Sequence, residues 1–400
     1  MTLPTSPRTQ VFGSLCVLVF LVNFGRVVYA PLLEPFRETF GASAGAVGLL
    51  ATLVWIGSAA PRFPTGYLLT KLPRHRVVLG SGLVLVGGSI LAAAAPSLTA
   101  LYAASLLVGV GSGVYYVSAS PLISQLYPGR VGRAIGINGT ASQLAAVVAP
   151  GVVGVVLATA IWPIAAWRVL FLGLAAAAAG STVLFWLTAR RAELGDAGPQ
   201  DLQLRSALTA QWRLILTGIA VVGLAGLAWN GLFNLYVTYL VESKGFSPGR
   251  SRTLLTVVFA AGVPAFWFAG RLADRLPFLP LLLGILTSFV ACILALVTAG
   301  SVLSVFVVSV ALGFVIHCLF PVTDTYVLST LPEAYRGSGY AVFSGTMMPI
   351  QAVGSVLVGG LVDVGYAFDQ VFVALAGGVS VLTVALAVLA TAGRLPTGSE

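Results

Sequence analysis

The sequence predicts an all-α membrane protein whose twelve transmembrane helices form two pseudo-symmetric six-helix bundles. Three observations lead there: a charge content too low for a water-facing surface, apolar runs of spanning length from end to end, and short patterns that recur about 204 residues apart. The 400 residues are 58% hydrophobic and 8% charged, against roughly 25% charged in soluble domains. Lipid must therefore cover much of this surface. A hydrocarbon core of about 30 Å takes about 20 apolar residues per helix, so the chain has room for twelve spans joined by short loops.

The spans are placed at 12–33, 45–69, 77–95, 98–121, 134–158, 167–188, 214–240, 250–270, 279–299, 302–328, 337–361 and 370–391. Turn residues separate them at Leu72-Pro73, Pro96-Ser97, Tyr127-Pro128-Gly129, Leu276-Pro277 and Leu331-Pro332. The first apolar run continues through Asn23 and Arg26 to Leu33 without a small-residue cleavage site, so it reads as a retained helix. The Lys/Arg asymmetry sets the orientation. With the N-terminus cytoplasmic, the inner loops hold Arg8, Lys71, Arg74, Arg76, Arg130, Arg133, Arg190, Arg191, Arg205, Arg213, Arg271, Arg275, Arg336 and Arg394. The outer side holds only Arg37, Arg168, Lys244, Arg250 and Arg252. An even number of spans brings the C-terminus back to the cytoplasm, in a plasma (inner) membrane. The net charge of +9 is thereby assigned to topology and anionic headgroups; with no basic–aromatic interleaving, no nucleic-acid partner is expected.

The halves resemble each other. Gly270-Arg-Leu-Ala-Asp274-Arg275-Leu276-Pro277 lies 204 residues after Gly66-Tyr-Leu-Leu-Thr70-Lys71-Leu72-Pro73. Gly245 and Ser247 follow Gly41 and Ser43 at the same spacing, and Arg336-Gly-Ser-Gly339 follows Arg133-Ala-Ile-Gly136 at 203. The longest polar stretch, from Ala189 to Gln211, sits at the midpoint. The expected organisation is a bundle at 1–188, a cytoplasmic linker at 189–211 and a second bundle at 212–400. Two repeats of parallel topology are a common transporter plan.

These residues resemble the major facilitator superfamily. Its loop pattern G-x-x-x-D-R/K-x-G-R/K-R/K between helices 2 and 3 is matched by Gly66 through Arg76, and its weaker copy by Gly270 through Arg275. Trp167-Arg168 with Phe171, and the Arg133/Gly136 pair, are also similar to the family. Two positions depart: Thr70 replaces the family's aspartate and Pro73 its glycine. In the family that acid caps the N-terminus of helix 11 and holds the inner side shut; such an acid contributes about 0.3–1 kcal/mol. The resemblance implies a cytoplasmic gate formed by Gly66, Thr70, Lys71, Arg133, Gly270, Asp274, Arg275 and Arg336, with Asp274 near Arg133 as the working latch. The alternative is that both loops only fix topology. Ala145 to Gly154, with Pro150, partly matches a helix 5 pattern of antiporters; small residues there also serve helix packing.

The family implies that helices 1, 4, 7 and 10 line a central cavity. Ionisable groups deep in a span usually face such a cavity. Arg26 lies about 14 residues into helix 1, some 21 Å at 1.5 Å per residue, with Asn23 and Tyr29 on the same broad face. A bidentate contact to a carboxylate or phosphate is one role for it; bonding to backbone carbonyls or outer headgroups is the other. Arg62, between Pro61 and Pro64, is placed to meet substrate, pair with Asp324 or snorkel. Asn230 and Asn234 share a face of helix 7, with Asn230 at the repeat position of Arg26; substrate contact competes with plain interhelical packing. His317 and Asp324 share a face of helix 10. Asp324 is the proton-coupling candidate, since a desolvated carboxyl can load and unload protons, although a permanent ion pair would also explain it. Tyr115, Tyr116, Asn138, Gln143, Tyr236 and Gln351 are further polar candidates that packing also explains.

Cys16, Cys292 and Cys318 all lie in apolar runs without metal-ligand spacing. Gly109-Val-Gly111-Ser-Gly113 lacks the strand–loop–helix context of a nucleotide loop, and close helix contact explains it better. No catalytic constellation appears, so neither an enzyme, a metal nor a cofactor is expected. The family implies a secondary active transporter of a small solute, working by alternating access as a monomer. The deep charges, Arg26 and Arg62 against Asp324, point to an organic anion moved by proton coupling or exchange. Rival readings are a drug/proton antiporter exporting lipophilic compounds, and a non-transporting receptor on a transporter fold.

Overall fold

The computed structural model describes residues 6–127, 131–159, 165–192, 194, 204–273, 276–332 and 336–395, and every regular element among them is α-helical. In order these are α1 (Pro7–Val27), α2 (Tyr29–Phe40), α3 (Ala44–Ala59), α4 (Arg62–Leu68), α5 (Arg74–Ala94), α6 (Leu98–Leu126), α7 (Val131–Ala158), α8 (Ala166–Arg190), α9 (Leu204–Asn234), α10 (Tyr236–Glu242), α11 (Pro248–Ala273), α12 (Phe278–Thr298), α13 (Val302–Thr330), α14 (Arg336–Asp363) and α15 (Phe368–Thr391). Eleven helical stretches among the described residues are long and apolar enough to cross a membrane. The 26-residue α11 stands at the repeat position of α3 and α4, and with it the twelve-helix arrangement is complete.

Three expected single spans are each two helices, and the sequence explains the breaks. Pro31 has no N–H for the carbonyl of Val27, and α1 gives way to α2 at Val28. Pro61 and Pro64 do the same between α3 and α4. Between α9 and α10 the cause is a side chain. Asn234 Nδ2 donates to the Asn230 carbonyl at 3.0 Å, and Ser355 Oγ donates to the same oxygen at 3.1 Å. The i→i−4 ladder is invaded there, which kinks a helix. The polar stretch after Ala189 is also partly helical, since α9 starts at Leu204 and bends at Gln211 (φ −124°, ψ 24°).

The duplication is visible in the helix bounds. α5 and α12 both have 21 residues, and α6 and α13 both have 29; each pair starts 204 residues apart. Ser97 and Ser301 cap the N-termini of α6 and α13 through their hydroxyls. Gly41 (φ 60°) and Gly245 (φ 68°) hold equivalent left-handed turns where a side chain would strain the backbone.

By contact the chain forms two compact units, Met1–Phe40 with Leu53–Gln200, and Gly41–Thr52 with Asp201–Glu400. The division falls inside α3. In the first unit α5 packs on α6 and α8, and α1 on α6, α7 and α8, around buried Leu15, Tyr115, Phe171 and Phe185. In the second, α9 packs on α14, α11 on α13, and α12 on α13 and α15, around Phe233, Tyr236, Phe289, Phe343 and Phe372. Many large apolar side chains point away from both cores, among them Leu83, Val155, Val183, Leu303 and Val381, as lipid-facing helices require. Cations cap the equivalent C-termini of α5 and α12. Arg168 donates to the carbonyls of Ala93 and Ala95, both at 2.7 Å, and Lys244 donates to that of Val297 at 2.5 Å.

Candidate functional site

In the first unit the Arg26 guanidinium lies against two aromatic rings. Arg26 sits in the last turn of α1, where the helix dipole favours a cation. One terminal nitrogen donates to Asn23 Oδ1 at 2.6 Å. The Trp55 ring from α3 lies 4.4 Å from its central carbon, and the Tyr116 ring from α6 lies 5.2 Å away. Its Nε is buried without a hydrogen-bond partner among the described residues. A cation in a low-dielectric site is normally paired with a negative charge, and among the described residues no carboxylate touches this one.

A closed circuit fixes the group. Asn23 Nδ2 donates to the Ser142 carbonyl of α7 at 2.7 Å, and the Ser142 hydroxyl shares a hydrogen bond of 2.7 Å with the Tyr116 hydroxyl. Arg26, Asn23, Ser142 and Tyr116 thus connect α1, α7 and α6 in a ring. With aromatic surface against the guanidinium, its edge offers the donors: Nε–H and the N–H groups not given to Asn23.

The second unit holds the other deep group. His317 on α13 is surrounded by Trp229 (5.6 Å between centroids), Phe259 (6.0 Å) and Phe266 (6.0 Å). Its Nδ1 lies 2.7 Å from the Gly313 carbonyl. A carbonyl only accepts, so Nδ1 carries a proton and Nε2 of the neutral ring keeps its lone pair. Gly262 makes room for the ring: a Cβ there would stand 2.5 Å from His317 Cγ. Asp324 is half-buried two turns along α13.

The other residues expected at a substrate have the following neighbours. Asn230 Nδ2 bonds the Gly226 carbonyl at 3.2 Å, and Asn234 Nδ2 bonds Ser355 Oγ at 2.9 Å, tying α9 to α14. Tyr29 packs at a tilt against Phe36 and Phe171, and its hydroxyl is buried without a hydrogen-bond partner among the described residues. Arg62 opens α4 and is half-buried. Tyr115 bonds the Leu15 carbonyl and receives Asn138; Tyr236 bonds Ser309, and Gln351 the Val222 carbonyl.

The model of the Major Facilitator Superfamily matches residues 15–350 and 219–399. The chain belongs to the major facilitator superfamily. The family is one of multi-pass membrane secondary transporters of small molecules, and membership points to a transporter rather than an enzyme. A probable sulfoacetate transporter, SauU of Cupriavidus necator, is 25% identical over 291 residues, covering 67% of this chain and 65% of that protein. The MFS-type transporter YbcL of Bacillus subtilis is 23% identical over 356 residues, 87% of this chain and 88% of that protein. A POT family transporter superposes with a TM-score of 0.76 at 15% identity, covering 95% of this chain and 96% of its own. A bacterial homologue of the human lysosomal transporter Spinster does so with a TM-score of 0.74 at 16% identity, covering 97% and 96%.

Of the superfamily's loop residues, Asp274 and Arg275 lie outside the described residues. Thr70 bonds the Tyr67 carbonyl at 2.8 Å within its own turn, and Lys71 lies near the Tyr67 ring at 5.9 Å. Gly66 is within α4, Gly270 within α11, and Arg336 opens α14. Arg133 is exposed and lines a cavity of about 240 Å³ with Phe12, Tyr127, Ala134 and Ile137. Trp55 and Ser142 are the site residues that sequence reasoning missed. A tryptophan or serine inside an apolar run looks like packing, and only the fold brings them to Arg26.

Proposed function

We propose that this superfamily member is a secondary active transporter for a small organic anion, with Arg26 as the group that receives it. The observation that carries the reading is the guanidinium with no carboxylate against it among the described residues and a ring of neutral groups fixing it. An arginine fork matches planar oxyanions, and the name of the Cupriavidus relative is that of an anion transporter. The solute is moved by alternating access, coupled to protons or to exchange, with Asp324 as the coupling carboxyl and His317 as a second polar contact. The Lys/Arg asymmetry supports cytoplasmic termini in a plasma membrane.

Uptake of labelled sulfoacetate and related small anions into proteoliposomes tests the reading. Truncating one partner of a buried charge pair costs about 2–5 kcal/mol, so Arg26→Gln should lower uptake by about 30-fold or more. The same change removes an uncompensated buried charge, so the thermal midpoint should hold or rise. Arg26→Lys keeps the charge, loses the fork, and should not restore transport. Undiminished anion uptake by Arg26→Gln, or uptake restricted to lipophilic cations, would overturn the reading in favour of drug export.

A further inference from the structure

We infer that the Arg26 site is built for an oxyanion head carrying one negative charge, a sulfonate or a carboxylate, and selects against a doubly charged phosphate. The inference rests on Arg26 being the anion-receiving group and adds the charge class of its ligand. It follows from a count of charges. Among the described residues, the groups that touch the guanidinium are Asn23, Trp55 and Tyr116. The next residue in the circuit, Ser142, is also neutral. Among the same described residues no second cation touches the guanidinium. Arg26 is walled by aromatic surface and lies inside a span, where uncompensated charge is expensive.

A singly charged head cancels the guanidinium and leaves the site neutral. A dianion leaves one negative charge with nothing to meet it except neutral dipoles. Asn23 is already engaged, its Oδ1 accepting from Arg26 and its Nδ2 donating to the Ser142 carbonyl, and the Ser142 and Tyr116 hydroxyls share one hydrogen bond. The Nε–H and the guanidinium N–H groups not given to Asn23 form one edge, which suits one oxyanion edge bound side-on, and the other donors beside it, such as the Trp55 indole N–H, are neutral.

The test uses two heads of nearly equal size, ethanesulfonate and ethyl phosphate, at matched ionic strength. Sulfonate stays a monoanion throughout, whereas a phosphate monoester loses its second proton near pH 6. Binding to the purified full chain is measured by ligand-induced thermal shift at pH 8 and pH 5, and the ratio of the two affinities is read at each pH. Titration of the protein affects both probes and cancels in the ratio. The monoanion makes up about 1% of ethyl phosphate at pH 8 and about nine-tenths at pH 5, so the ratio should move towards phosphate by up to about 90-fold. A ratio that stays constant, or that favours ethyl phosphate at pH 8, overturns the charge selectivity. The parent reading fails separately: wild-type protein then binds no ethanesulfonate, or Arg26→Gln binds it equally well.

Discussion

The two units place different chemistry on the same scaffold positions. In the first, the repeat holds Arg26, Trp55, Ser58 and Gly113. In the second, 204 residues on, it holds Asn230, Phe259, Gly262 and His317. Trp55 flanks a guanidinium and Phe259 an imidazole. Size is exchanged between facing helices: the first unit keeps its glycine at 113 on α6, against the backbone of Ser58, while the second keeps its glycine at 262 on α11, under the His317 ring. The helix–helix spacing is shared, and the polar group is free to differ. A duplicated bundle can therefore hold a cation-bearing face in one half and an uncharged acceptor in the other without a change of fold.

The largest expected effect lies where the units agree. A Cβ on Gly109 would meet the Val54 carbonyl, and a Cβ on Gly313 would meet the equivalent Val258 carbonyl. Backbone cannot step aside as a side chain can, so the helices must separate. Gly109→Ala and Gly313→Ala should each destabilise by about 1–3 kcal/mol, the usual cost of overpacking, with matching drops in thermal midpoint. A loss confined to one variant would show that the two interfaces are not mechanically equivalent.

How much of this was legible beforehand follows from the same positions. Repeat spacing and the turn residues between spans are local, and the sequence carries them; the equal lengths of α5 and α12 came only with the structure, since the spans read from the sequence at 77–95 and 279–299 differ by two residues. The Arg26 circuit is non-local. Asn23 meets Ser142, 119 residues away, and no periodicity announces that contact. Asn230 and Asn234 had the same appearance as Asn23, polar residues in an apolar helix, yet their bonds close on α9 and α14. The break at Leu235 was hidden for the same reason, because it depends on where the Asn234 side chain turns.

A middle-sized effect tests where the units diverge. Gly262→Ala should push the His317 ring into Trp229, Phe259 and Phe266 and lower stability by about 1–3 kcal/mol. Ser58→Ala, the matching position in the first unit, removes only a hydroxyl that stands 3.4 Å from Ser112 Oγ, and should change the midpoint little. The clash is specific, so His317→Ala should rescue Gly262→Ala. A double-mutant cycle on thermal unfolding reads the coupling; additive losses would mean that Gly262 serves the helix contact rather than the imidazole.

The smallest effect distinguishes a circuit that serves a ligand from one that only packs. In both units an asparagine from the first long helix reaches α7 or its repeat, α14: Asn23 to Ser142, and Asn234 to Ser355. Only the first continues through a hydroxyl to a ring lying against a cation. Hydrogen bonds between membrane helices average about 0.6 kcal/mol, a factor of about three in an equilibrium. Ser142→Ala keeps the carbonyl that holds Asn23 and loses only the link to Tyr116, so it should weaken ethanesulfonate binding by about threefold while leaving the thermal midpoint nearly unchanged. Tyr116→Phe breaks the same link from the other side, so the double variant should be no weaker than either single one, and Ser142→Thr should restore the wild-type value. Ser355→Ala should do the reverse, costing stability and leaving anion affinity alone. If Ser142→Ala and Ser355→Ala instead behave alike, the hydroxyl of Ser142 is packing, and Arg26 is held by Asn23 without its help.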